Sequence, residues 1–237
     1  MKKTDTTHMT NKSIGRAGKT VGIGLAIMFV FGILADSVIM PRIIKWQDVL
    51  QTSNNIIANE QMFRIGILSY WGDMLVNVLI AFALYILLKP VNNILAILSA
   101  GFRLIYVIIR STALINLVKV LVIIKPEGIV LSEISAKVMH LLEADKAVYS
   151  YALIFFGFHV LFTGYLIVKS GYIPKILGLL LIIAFIGYQV YCMAFIFDTD
   201  FARRENMYKL ILGIPGFLSE FSLCLWLLIK RIEFGSN

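Results

Sequence analysis

Six apolar stretches, each long enough to cross a bilayer as a helix and each bounded by charge, Pro or Asn, take up most of this chain. About 20 predominantly apolar residues span the hydrocarbon core, so the runs at 20–40, 65–88, 93–124, 147–169, 174–197 and 208–230 predict six transmembrane helices. No water-soluble architecture leaves room for that much apolar sequence. Hydrophobic residues make up 59% and charged residues 15% of the chain. Soluble domains carry about 45–50% and about 25% respectively. The expected fold is therefore an all-α membrane protein: a bundle of six transmembrane helices with extracytoplasmic amphipathic segments. The expected division is a basic N-terminal tail (1–19), a single transmembrane domain (20–230) and a short C-terminal tail (231–237).

The basic excess, 22 Lys and Arg against 14 Asp and Glu, would suggest nucleic acid in a soluble protein. Here the basic residues flank apolar runs, which is the signature of helices anchored in anionic lipid. The expected partner is the bilayer, with no nucleic acid. Lys2, Lys3, Lys12, Arg16 and Lys19 precede the first run. That run is too long for a signal-peptide core, and no A-x-A site follows it, so it reads as a retained helix. The positive-inside rule then places both termini in the cytoplasm of a multi-pass plasma-membrane protein. Two cysteines, Cys192 and Cys224, make no disulfide framework.

The run at 93–124 carries Arg103, Arg110, Asn116 and Lys119 and allows either one tilted helix or one broken near Gly101. Pro215, beside Gly213 and Gly216, predicts a kink or a late start in the sixth helix. Tight turns are expected at Lys89-Pro90 and Ser170-Gly171. The connections at 41–64 and 125–146 are long enough for a helix each. In the second, Ile134, Val138 and Leu142 recur every four residues among charges, which predicts an amphipathic helix lying along the outer face, as a lid or as a plain surface element.

Tyr85-x-x-x-Lys89, Tyr165-x-x-x-Lys169 and Trp226-x-x-x-Lys230 end the second, fourth and sixth runs alike. The pattern fits an aromatic belt or three copies of a two-helix unit. Either way the lysines form a depth ruler, at about 1.5 Å per residue. His159 and Glu220 each lie ten residues before their lysine, and Arg103 lies ten after Asn93. All three fall near the midplane. Asp73 and Arg110 share a second level nearer the outer face, and Arg103, Tyr106 and Arg110 share one helical face. Charges at such depths are expensive and should point inward and pair. The expected sites are a midplane cluster of Arg103, His159 and Glu220 and an outer-level pair of Asp73 with Arg110.

No serine, aspartyl or zinc protease signature is present, and His8, His140 and His159 are too far apart to suggest a metal site. No nucleotide-binding glycine pattern appears, and no cofactor is expected.

The stretch Phe156-Gly-Phe-His159-x5-Tyr165-Leu-x3-Ser170-Gly171-Tyr172-x-Pro174-x2-Leu177-Gly178 resembles the signature of the bacterial membrane proteins grouped as domain of unknown function 4386. The ending Glu220-x-Ser222-Leu223-x-Leu225-Trp226-Leu227-Leu228-x-Lys230 and the segment Phe102-Arg103-Leu104 are similar to it as well. The likeness covers residues 15–231. It implies a six-helix inner-membrane protein and supplies no activity.

Three readings follow. In the first, the chain is a small permease or membrane-stress accessory whose midplane cluster meets a small polar ligand. In the second it is an intramembrane enzyme acting on a lipid, with Glu220 or His159 as general base and Arg103 holding an anionic headgroup. In the third the charges are architectural. A cavity reaching the midplane supports transport, a lateral opening beside Glu220 supports lipid chemistry, and tight packing with every charge paired supports architecture.

Overall fold

The computed structural model describes the backbone of residues 2–124 and 131–230, with side chains from 13 and 133 onward in the two segments. The expected tail at 231–237 and Pro126 lie outside the described residues. The elements are α1 (Lys2–Gly32), a π-helical stretch (Ile33–Ile39), α2 (Met40–Ile43), α3 (Val49–Ala58), α4 (Glu60–Leu88), α5 (Asn93–Ile123), α6 (Leu131–Ser170), α7 (Lys175–Phe197) and α8 (Phe201–Ile229). Among the described residues six helical spans are long and apolar enough to cross a membrane: Ser13–Ile43 and the helices α4 to α8. No strand occurs among the described residues.

The bundle is a ring closed in chain order. Neighbours in sequence pack side by side from α4 to α8, and α1 packs on both α4 and α8 to close the circle. At the closing seam Phe29 meets Phe217 and Phe221 edge-on, with ring centres 5.4 and 5.7 Å apart. Polarity is inverted relative to a water-soluble bundle. On α4 the outward residues Leu75 and Leu79 are 67% and 62% exposed, while Asn77 on the opposite side is 1% exposed. An apolar exterior of this extent belongs in lipid.

The third run is one unbroken helix, α5, whose start is capped by the Asn92 side chain accepting from the Leu95 amide at 3.0 Å. Gly101 does not interrupt it. The turn expected at Lys89-Pro90 is tight, and Lys89 Nζ sits 5.5 Å above the Tyr85 ring. The connection at 41–64 holds α3, which is capped by the Asp48 carboxylate accepting from the Gln51 amide at 2.8 Å.

Two expectations are corrected. The amphipathic segment around Ile134, Val138 and Leu142 is no separate surface helix. It is the first part of α6, which runs without interruption for 40 residues. No Gly or Pro occurs between Leu131 and Phe156 to break it. Its apolar stripe is consumed by packing rather than laid on the membrane: Val138 and Leu142 are 0% and 1% exposed, with α3 docked against the helix.

The sixth span starts at Phe201 rather than near 208 and continues through Pro215. Its polar first turns escape a hydropathy reading but hold together locally, with Arg204 bridging Asp200 at 2.9 Å and Asp198 at 3.3 Å. Proline at 215 removes the N–H that would bond the Ile211 carbonyl. Gly187 of α7 lies against that carbonyl: a Cβ there would fall 2.5 Å from Ile211 O. A Cα–H directed at the orphaned oxygen compensates in part for the missing bond. Gly164 and Gly178 form a similar crossing of α6 and α7, where a Cβ on either would meet the other's carbonyl oxygen at 2.7 or 2.5 Å.

Candidate functional site

Arg103, on α5, fills the centre of the ring and is 1% exposed. Its Nε donates to Asn77 Oδ1 at 2.9 Å, and its Nη2 donates to Met28 Sδ at 3.4 Å. Its Nη1 donates to His159 Nε2 at 2.9 Å and lies 3.7 Å from Glu220 Oε1. The Phe156 ring faces the guanidinium at 5.2 Å. One side chain thus engages α1, α4, α6 and α8.

The three residues expected at the midplane do meet, with a different division of roles. A guanidinium can only donate, so His159 Nε2 accepts and the ring proton sits on Nδ1. That proton is donated to the Ser99 carbonyl, 2.9 Å away. The hydroxyls of Ser99 and Thr163, 2.7 Å apart, complete the polar surroundings. His159 therefore bonds Arg103 and Ser99, while Glu220 serves as the counter-charge of Arg103. Arg103, His159 and Glu220 are 1 to 8% exposed.

The expected pair of Asp73 with Arg110 does not form. Arg110 Nη1 bonds Asp145 Oδ1 at 2.7 Å, and its guanidinium is sandwiched between Tyr70 and Tyr149, at 4.7 and 4.8 Å. Asp145 lies on the part of α6 read as a surface segment. It is also fourteen residues before His159, about 21 Å along the helix, whereas Arg110 is seven residues, about 10 Å, beyond Arg103. The depth ruler treats helices as upright and side chains as points, and a long arginine between tilted helices closes that gap.

Asp73 instead takes a hydrogen bond from Asn77 Nδ2 at 3.1 Å. Asn77 thereby links Asp73 to Arg103. Above Asp73 lies a cavity of about 950 Å³ that opens at the face carrying α3. Asp73 and Tyr106 lie at its deep end; Asp36, Tyr70, Arg110 and Asp145 form its wall. Arg103, His159 and Glu220 do not line it.

Asp36 reaches the cavity from the π-helical stretch, whose i→i+5 bonding is frequent at functional sites. Tyr70 donates its hydroxyl to Asp36 Oδ1. Among the described residues neither Asp36 nor Asp73 has a cation within 4 Å. The lysines that line the cavity are engaged: Lys45 donates to the Pro41 carbonyl at 2.7 Å, Lys146 and Lys209 both pair with Glu205, at 2.7 and 2.8 Å, and Lys146 lies 4.9 Å over the Trp46 ring.

Asp36, Asn77, Tyr70, Asp145 and Tyr149 were not singled out by sequence. Asp36 had a usable signal, a lone carboxylate inside the first apolar run. Asn77 had none that a search for charges would find. Among the described residues no group of three or more His, Cys, Asp or Glu could hold a metal ion. Cys192 and Cys224 are unpaired and buried.

Comparison with known proteins agrees with this picture at the level of family. The chain is 32% identical over 157 residues to an uncharacterized protein of Archaeoglobus fulgidus, covering 66% of this chain and 78% of the relative. No solved structure matches it. Across residues 20–230, the stretch that builds the ring, the hub and the cavity, the chain matches and belongs to the family described as Domain of unknown function (DUF4386).

Proposed function

We propose that this membrane protein is a small permease that admits a polar solute into the cavity from the face carrying α3. The observation that carries the reading is the cavity itself, about 950 Å³ with its deep end at Asp73. That volume lies within the roughly 300–1,000 Å³ range of small-molecule pockets. A polar solute that reaches Asp73 stands one helical turn from Asn77, and so from the hub that ties four other helices to α5. This arrangement supports coupling between an occupied cavity and helix rearrangement. By the distribution of basic residues the open face is the extracytoplasmic one.

The hydrogen bonding of Arg103 and His159 to each other and to their neighbours supports an architectural role for the hub and gives no support to lipid chemistry there. Buried ionic groups of this kind fix which helix packs on which.

Proteoliposomes containing the purified protein should take up at least one member of a radiolabelled set of amines, amino acids, sugars and organic acids with saturable kinetics. Tyr106→Trp, which fills the deep end, should abolish that uptake. Absence of saturable flux across the whole set ends the permease reading.

A further inference from the structure

We infer that the cavity takes an ammonium-bearing solute, an amine or organic cation. This rests on the reading of the cavity as a solute site and adds the class of ligand. Four carboxylates (Asp36, Asp48, Asp73, Asp145) and four cations (Lys45, Arg110, Lys146, Lys209) line the cavity, and the three lysines are held elsewhere, Lys45 by the Pro41 carbonyl at 2.7 Å and Lys146 and Lys209 by Glu205. Arg110 is already neutralised by Asp145 at 2.7 Å. Among the described residues Asp36 and Asp73 have no cation within 4 Å and are held by the Tyr70 hydroxyl and the Asn77 amide. Asp36 is exposed to the cavity and Asp73 half-buried beside it, and two carboxylates on adjoining walls of a membrane cavity call for a cation.

Tyr106 gives an independent indication. It is 7% exposed and lines the cavity, and its hydroxyl makes no hydrogen bond within the described structure. Tyr106 lines the cavity together with Asp73, and an unbonded hydroxyl there can accept from an N–H of the occupant. Of the aromatic lining, Tyr106 and Tyr191 carry no cation over their rings among the described residues and add surface that ammonium groups favour. The competing reading, an anion drawn to Arg110, has to displace Asp145 and approach two unpaired carboxylates.

The same ammonium chemistry exists in free solutes and in lipid headgroups, and the experiment separates them. Calorimetric titration of the protein in phosphatidylglycerol nanodiscs with butylammonium and with tetraethylammonium should give saturable binding; acetate should give none. Asp36→Asn and Asp73→Asn, which keep the hydrogen bonds to Tyr70 and Asn77, should each weaken both cations at least tenfold without lowering the melting temperature. Tyr106→Phe should weaken butylammonium severalfold and leave tetraethylammonium, which has no N–H, unchanged.

Repeating the titration with phosphatidylcholine added identifies the source. A fall in apparent affinity marks a headgroup as the occupant, and no change marks a free solute; both keep the ammonium assignment. Binding of acetate, or cation affinity unchanged in both Asn variants, overturns it. Cation binding without flux in proteoliposomes removes only the permease reading, whereas saturable anion flux without cation binding removes only the ammonium assignment.

Discussion

Arg103 Nη1 and His159 Nε2 lie 2.9 Å apart at the centre of a closed ring of helices. Because the guanidinium must donate, this contact fixes the imidazole tautomer and makes the arginine the member on which the others depend. Glu220, at 3.7 Å, contributes charge without a hydrogen bond.

Arg103→Gln should be severely destabilising, by about 3–5 kcal/mol, because it leaves Glu220 uncompensated and His159 Nε2 and Asn77 Oδ1 without their donor. Glu220→Gln should cost less, because Arg103 loses its counter-charge but keeps its hydrogen bonds to Asn77 and His159. The charge-swapped double variant Arg103→Glu/Glu220→Arg should not recover stability, since a carboxylate at 103 cannot donate to Asn77 or His159. Melting temperature and monodispersity in detergent measure all three; recovery by the swap would show that the ion pair alone matters.

Arg110→Lys is not a conservative change. The planar guanidinium is stacked between Tyr70 and Tyr149 while bonding Asp145, and an ammonium cannot satisfy both faces and the bond together. Arg110→Lys should lower stability by about 1–3 kcal/mol, close to the cost of Asp145→Asn. A double-mutant cycle on 110 and 145, read by thermal unfolding, should show strong coupling between them.

Gly187→Val should be disruptive while Pro215→Ala should be tolerated. Any side chain at 187 meets the Ile211 carbonyl oxygen at 2.5 Å and forces α7 from α8, an overpacking cost of about 1–3 kcal/mol or more. Alanine at 215 returns an N–H to that same carbonyl. Pro215→Ala should equal or exceed the parent in melting temperature, and a substantial loss of stability would contradict the compensation assigned to Gly187.

Tyr172, in the turn between α6 and α7, donates its hydroxyl to the Leu87 carbonyl. Burial pushes its pKa up to about 12, above the roughly 10 of an exposed tyrosine. The folded state therefore holds this proton more tightly than the unfolded state does. The resulting stability is fully present below pH ~10 and is lost as pH rises toward ~12. Parent and Tyr172→Phe should differ by about 1 kcal/mol near pH 8 and converge across that window. Chemical unfolding followed from pH 8 to 12 makes the comparison, and a constant difference would remove the phenol from the explanation.

Much of this molecule was written where hydropathy and charge coincide. Lys89, Lys169 and Lys230 set the ends of three spans, and counting from the first turns brought Arg103, His159 and Glu220 to one level, where they meet. Reasoning by charge failed where the partner was neutral, as with Asn77, or where local pattern suggested a different environment, as with Asp145. The four-residue spacing of Ile134, Val138 and Leu142 correctly marked a helix. It could not say whether the stripe faced lipid or α3, since both accept apolar side chains. The start of α8 was missed because Arg203, Arg204 and Glu205 lower the hydropathy that defines a span, although a helix needs only its backbone bonds. The cavity was illegible: it arises from what the π-helical stretch and the far ends of α4, α5 and α6 leave unfilled.

A ring closed in chain order has a consequence for how the protein is made. During synthesis each helix enters the bilayer beside the one before it, so no crossing has to be threaded past a later one. Arg103 meets Met28, Asn77 and His159 as those helices arrive, but Glu220 is contributed by α8, the last of the described spans. Until then the central guanidinium lacks its counter-charge, and the seam between α1 and α8 stands open to lipid. Arrival of α8 is thus chemically marked, because one helix both supplies the counter-charge of Arg103 and closes the seam against α1.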